Sequence, residues 1–226
     1  MDRIYSITVS MLKQNRVLFI FQGVLILTFI LLVITYDRME ILVGFNDWRE
    51  QPWISVFRLT TLIGEPFSYV LVFFILLFVR LRYAIMVPVI GLSTAIITYL
   101  LKVGFSAPRP VYMIKNEGLI DQFRLMDGVP LYEGYTSFPS GHTFAAFSLF
   151  IFLALVLPWK KITPIVCVFL ALSVGISRIY LLHHFAHDVL FGMVLGVAVA
   201  IIMYLLQEVH LSHIARYDRS IGFSRK

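Results

Sequence analysis

Long apolar runs separated by short polar stretches constrain this chain more than any other feature. Residues 17–35 are apolar except for Gln22 and Thr28, and residues 84–101 and 188–206 form comparable runs. About 20 apolar residues suffice for a helix to cross the hydrocarbon of a bilayer. Residues 142–157 and 162–176 are shorter runs of the same character, and residues 54–79 form one interrupted by Gly64-Glu65-Pro66. In lipid every backbone N–H and C=O must be paired within the chain, so such runs fold as helices. The pattern predicts an all-α chain, a single domain over residues 1–226 built as a six-transmembrane-helix bundle. The break at Gly64-Glu65-Pro66 predicts hydrocarbon contact only from about Phe67 to Val79, with an upstream helix packed on protein.

Composition removes the main competing class. Apolar residues make up 59% of the sequence and charged residues 14%, against roughly 25% charged in a soluble domain. The net charge of +6 comes from no basic tract, which argues against a nucleic-acid partner; in a membrane chain, basic residues set orientation. Cys167, the single cysteine, lies in an apolar run and reads as a packing residue. No small-residue cleavage site follows the first apolar run, so that run reads as a retained span.

Six spans put both termini on one side. Arg3, Lys13, Arg16, the Arg80-Leu81-Arg82 turn, Lys160-Lys161 and a polar tail with Arg216, Arg219, Arg225 and Lys226 share that side. The positive-inside rule assigns it to the cytoplasm. The opposite face carries an exposed loop over residues 36–51, with Trp48 and Trp53 at headgroup depth, and the segment 103–141 between spans three and four. Prolines and glycines forbid one continuous helix there. Its apolar and aromatic content predicts an ordered extracytoplasmic cap, with short helices near residues 111–116 and 119–125.

Three polar stretches fall at span ends on this outer face, where ionisable groups read as functional. Lys102 and Arg109 offer a point charge and a bidentate fork, a pair suited to phosphate, although snorkelling at the membrane edge would also place them there. Pro139-Ser140-Gly141-His142 opens a helix. Backbone N–H groups at a helix N-terminus bind anions, Gly141 permits close approach, Ser140 is a donor or simply an N-cap, and His142 can donate a proton. In Ser177-Arg178-Ile179-Tyr180-Leu181-Leu182-His183-His184-Phe185-Ala186-His187-Asp188, His184 and Asp188 are four apart. They share one helical face if Asp188 begins the last span. A carboxylate on one imidazole nitrogen fixes the tautomer and leaves the other free to attack. Arg178 can clamp an anion. His183 and His187 share a spacing that zinc sites use, but three converging cations repel a metal, so these two read as rim residues and no metal is assigned. Glu65 reads as a carboxylate at a helix end near the surface, with contact to the active site as the alternative.

Lys102-x6-Arg109-Pro110, Pro139-Ser140-Gly141-His142 and Ser177-Arg178-x5-His184-x3-Asp188 together resemble the three-part signature of the type 2 phosphatidic acid phosphatase family. That superfamily also includes vanadium haloperoxidases and bacterial acid phosphatases. The resemblance extends over roughly residues 55–206. It implies His184 as a nucleophile forming phosphohistidine, Asp188 orienting it, and His142 protonating the leaving oxygen. It also implies that Lys102, Arg109, Ser140, Gly141 and Arg178 hold the phosphoryl oxygens, with no cofactor. Ala186-His187 departs from the family, where many members have proline and a small hydroxyl residue, and leaves the local helix start open. The implied activity is hydrolysis of a lipid phosphate: undecaprenyl diphosphate, phosphatidylglycerol phosphate, phosphatidic acid or a lipid A phosphate. The implied partners are the substrate and membrane lipids, with no obligate protein partner, and the compact chain suggests a bacterial inner membrane. A lipid phosphotransferase, a vanadate-dependent peroxidase and a non-enzymatic transporter are the alternatives.

Overall fold

The computed structural model describes residues 2–220, and these are helical without any strand. Helix α1 (Asp2–Gln14) runs through Asn15 into α2 (Arg16–Thr35). Helix α3 (Arg38–Val43) begins at a capping box: Asp37 accepts the Met39 N–H at 2.7 Å and Glu40 accepts the Asp37 N–H at 2.9 Å. The interrupted run divides into α4 (Trp53–Leu62) and α5 (Pro66–Leu77), bent by 53° at the expected break. Then follow α6 (Leu81–Phe105), α7 (Pro110–Asn116), α8 (Gly141–Val156), α9 (Thr163–Tyr180) and α10 (Ala186–His210).

Among the described residues, four helical runs are individually long and apolar enough to cross a membrane: α2, the run containing α6, α9 and α10. The bent α4–α5 pair makes a fifth if taken as one span. Helix α8, expected as a span, has only 16 residues, about 24 Å at a rise of 1.5 Å per residue, short of the roughly 30 Å hydrocarbon core. The reason is its place in the bundle. It lies among α6, α9 and α10 and is buried along most of its length, so its ends meet protein rather than lipid.

The close packing of α8 on α10 depends on two glycines. A Cβ at Gly196 would lie 2.4 Å from Phe147 Cβ, and one at Gly192 would lie 2.8 Å from the Ser140 carbonyl. Gly192-x3-Gly196 is thus a small-residue seam of the kind that draws membrane helices together. Gly64 plays a similar part at the α4–α5 break, where a Cβ would lie 2.7 Å from Val174 Cγ1 and 3.2 Å from the His142 carbonyl. The break therefore abuts the first turn of α8.

The basic ends gather as expected. The N–H groups of Leu81 and Arg82 each donate at 2.9 Å to the carbonyls of Arg219 and Tyr217. Arg80 meets Asp218 at 2.7 Å, and buried Arg82 meets Glu208 at 3.0 Å. The tail is folded against the start of α6, and α10 extends into it as far as His210. Arg225 and Lys226 lie outside the described residues.

At the opposite end, the loop over residues 36–51 is not simply exposed. Arg49 is buried, and its Nε donates to the Tyr180 carbonyl at 3.1 Å and its Nη2 to the Leu42 carbonyl at 2.9 Å. Burial pulls its pKa down to about 10. Arg49 ties the C-terminal ends of α3 and α9 together through their carbonyls. The segment between α6 and α8 forms α7 and a 3-10 turn at Ile120–Gln122, close to the expected positions. Phe123, Met126 and Val129 are buried beneath it. Two backbone hydrogen bonds, Ser137 N–H to the Ala107 carbonyl and Arg109 N–H to the Gly134 carbonyl, tie its ends together.

Candidate active site

The turn after α9 delivers the first histidine. The His183 N–H donates to the Arg178 carbonyl at 3.0 Å and the Leu182 N–H to the Ile179 carbonyl at 3.1 Å, the paired bonds of a Schellman motif. Glycine usually occupies the left-handed position of that motif; here buried Leu182 holds it, at φ 57°. The His184 N–H also donates to Arg178, at 3.1 Å. The chain is thereby turned sharply and the His184 side chain is directed inward, with 2% exposure.

Helix α10 begins at Ala186, with Phe185 as N-cap and Asp188 at its third position. Asp188 Oδ2 accepts the Phe185 N–H at 2.9 Å and the Ser137 hydroxyl at 2.6 Å, and it lies 3.5 Å from His184 Nδ1. His184 and Asp188 lie side by side at 3.5 Å without a hydrogen bond between them, and not across one helical face. His184 precedes the N-cap, and the carboxylate reaches back to it as part of helix capping. The unusual Ala186-His187 does not displace the helix start. His187 lies outside, its ring parallel to Phe185 at 5.5 Å and its Nε2 3.1 Å from Asp188 Oδ1.

Burial pushes the His184 pKa down to about 4, against the raising effect of Asp188 and with Arg178 and Arg109 adding to the depression. The imidazole is neutral at neutral pH. Nδ1 is the ring nitrogen on the Asp188 side. His183, expected at the rim, is buried: its Nε2 pairs with the Pro130 carbonyl at 3.0 Å and its ring meets Tyr132 edge-on at 4.7 Å.

Ser140 is the N-cap of α8, yet its side chain makes no capping hydrogen bond. Its hydroxyl pairs with Thr143 Oγ1 at 2.8 Å in a fully buried position. Its N–H donates to the Asp188 carbonyl at 3.1 Å. Ser140 therefore joins α8 to α10, which neither sequence reading anticipates. Gly141 admits Thr98, whose Cγ2 would be 3.1 Å from an added Cβ. His142, Gly141 and Lys102 line a cavity of about 460 Å³, together with Glu65, Tyr69 and Thr98.

The guanidinium of Arg109 donates to Thr136 Oγ1 at 3.1 Å, to the Thr136 carbonyl at 3.3 Å and to the His183 carbonyl at 3.2 Å, which leaves two N–H groups free of protein partners. Arg178 is buried; its Nη1 donates to Thr61 Oγ1 at 2.7 Å, and among the described residues its Nε has no partner. An unpaired buried donor is uncommon and calls for an acceptor. Lys102, Arg109 and Arg178 are close enough to act on one another electrostatically. Three cations, unfilled donors and a neutral imidazole can hold an anion and attack it. Thr61, Thr136 and Ser137, which position these groups, are absent from the sequence reading; single hydroxyl residues outside a motif carry no signal of their own.

The sequence profile described as the PAP2 superfamily matches residues 81–211. A protein of Schizosaccharomyces pombe, "Probable diacylglycerol pyrophosphate phosphatase 1", is 32% identical over 130 residues, covering 46% of this chain and 46% of that protein. The chain thus spans about half the length of that relative. The crystal structure of Aquifex aeolicus LpxE superposes with a TM-score of 0.60 at 22% identity, over 76% of this chain and 98% of that one. A transmembrane PAP2-type phosphatidylglycerolphosphate phosphatase of Bacillus subtilis superposes with a TM-score of 0.59 at 23% identity, over 88% of this chain and 98% of that one. The two solved structures share the fold, the profile covers more than half of the sequence, and this integral membrane chain belongs to the PAP2 superfamily.

Proposed function

We propose that the chain is a lipid phosphate phosphatase that works through phosphohistidine at His184, without a metal. The observation that carries this reading is the buried, neutral His184 set against Asp188 and beside Arg109 and Arg178, with Lys102 acting on His142. His184 Nε2 attacks phosphorus as the bond to the leaving oxygen breaks, and His142 gives that oxygen its proton. Water then attacks the phosphohistidine, the neutral His142 takes the water's proton, and phosphate leaves. Lys102, Arg109, Arg178 and the N–H groups at the start of α8 carry the phosphoryl charge.

The cavity beside His142 descends between α5, α6 and α8 past Tyr69, Gly91, Thr94 and Ala95. We assign this apolar route to the lipid tail. In this reading α8 is the sixth span, and residues 106–140 are the extracytoplasmic cap. Both termini are cytoplasmic, and the membrane is a bacterial inner membrane. The relatives' names point to a lipid monophosphate or diphosphate. The test is phosphate release by the purified protein from undecaprenyl diphosphate, phosphatidylglycerol phosphate, phosphatidic acid, diacylglycerol pyrophosphate and a lipid A phosphate. Turnover of at least one with a long tail, and of none after His184→Ala, is expected. Failure on the whole panel would overturn the assignment.

A further inference from the structure

We propose that Glu65 is a positioning residue for the leaving-group acid: its carboxylate keeps the His142 imidazolium protonated and turned toward the cavity. The inference rests on the reading of His142 as that acid.

Glu65 holds the N-cap position of α5, but its side chain makes no capping hydrogen bond, and glutamate is not among the residues preferred there. Among the described residues its ionic partner is His142, with Oε1 4.0 Å from Nε2. The side chains are 41% and 36% exposed and line the same cavity. The backbone brings them together: the missing side chain at Gly64 lets the α4–α5 break approach the first turn of α8.

The surroundings explain why a carboxylate belongs there. Facing His142 are Lys102 from α6, Arg178 from α9, Arg109 from the segment before α7, and His184 from the turn before α10. The phenols Tyr69 of α5 and Tyr99 of α6 line the same cavity. The fixed charges in this group are all positive and oppose an imidazolium. Asp188 Oδ2 is occupied by Ser137 and the Phe185 N–H and lies beside His184, and its Oδ1 lies 3.1 Å from His187. Glu65 is the carboxylate in the cavity lining. At 4.0 Å it acts as an ion-pair partner rather than through a hydrogen bond. Glu65 passes no proton in this scheme. His142 loses its proton to the leaving oxygen as the P–O bond breaks and regains one from the water that opens the phosphohistidine.

The test is the pH dependence of kcat for Glu65→Gln, Glu65→Asp and His142→Ala, with a lipid phosphate and with an activated aryl phosphate. Removing a negative neighbour makes the imidazolium easier to deprotonate. Glu65→Gln should therefore move the alkaline limb with the lipid substrate to lower pH by about one unit, a tenfold change in the ratio of imidazolium to imidazole. Glu65→Asp, which keeps the charge, should retain most of the wild-type limb, and the aryl phosphate should be little affected. An unmoved limb in Glu65→Gln, or an equal rate loss with both substrates at every pH, overturns the proposal. If His142→Ala depends on the leaving group and Glu65→Gln does not, the Glu65 inference fails alone. If His142→Ala loses both substrates equally, the assignment of His142 fails and Glu65 falls with it.

Discussion

Ser137 Oγ donates a 2.6 Å hydrogen bond to the same Asp188 oxygen that lies 3.5 Å from His184 Nδ1. Ser137 is fully buried, so water cannot replace its hydroxyl without rearrangement. The bond holds the carboxylate beside the imidazole. Ser137→Ala should lower kcat by about 10–100-fold, the range for losing a hydrogen bond to a charged group from the transition state. KM should change little, since the hydroxyl is spent on Asp188. Steady-state kinetics on the purified variant reads both; an unchanged kcat would show that Asp188 is held without Ser137.

Burial sets the protonation state of His184. Its pKa is pushed down to about 4, from about 6.5 for a free imidazole. Asp188 opposes that depression, so Asp188→Asn should lower the pKa further. Nitrogen-15 histidine spectra across a pH series, assigned by the resonance lost in His184→Ala, measure it directly. Titration near 6.5 in the wild type would contradict the account of His184 as a buried neutral nucleophile.

Much of this arrangement is legible in the sequence, for physical reasons that differ between elements. The apolar runs mark α2, α6, α9 and α10 because lipid demands continuous apolar helices. Gly64-Glu65-Pro66 marks the α4–α5 bend because proline opens a helix more readily than it continues one. The charged residues at span ends mark the site because such groups are costly there without a use. What the sequence conceals depends on contacts between distant segments. Buried Arg49 looks like any loop arginine until Tyr180 presents its carbonyl. Leu182 gives no warning of a left-handed turn, because glycine is the residue expected there. Helix α8 is shorter than a span, since its neighbours rather than lipid surround it.

Phosphate release should persist in EDTA. Positive side chains converge on the site, and the Asp188 carboxylate is already engaged by Ser137 and the Phe185 N–H. Rates in buffer treated with chelating resin, with and without EDTA, should agree within about twofold, a difference of roughly 0.4 kcal/mol in barrier. Activity lost in EDTA and restored by a divalent cation would contradict the mechanism.

The catalytic end should face away from the cytoplasm, because the Arg80-Arg82 turn and the tail share the opposite end. Exposed Asp127 lies in the segment above the site, so Asp127→Cys in a Cys167→Ala background should react with an impermeant thiol reagent in intact cells, after permeabilisation of any outer membrane. Labelling only after rupture of the inner membrane would reverse the orientation.

The central claim concerns two histidines with different work, and rapid-quench trapping of acid-labile phosphoenzyme tests it most directly. His184→Ala should form no phosphoenzyme from a lipid phosphate or from an activated aryl phosphate. His142→Ala should lose turnover of the lipid, by about 10²–10⁴-fold for a missing general acid. With the aryl phosphate, whose leaving oxygen hardly needs a proton, it should still form phosphoenzyme. Phosphoenzyme in His184→Ala, together with its absence from His142→Ala with both substrates, would contradict the account and exchange the two roles.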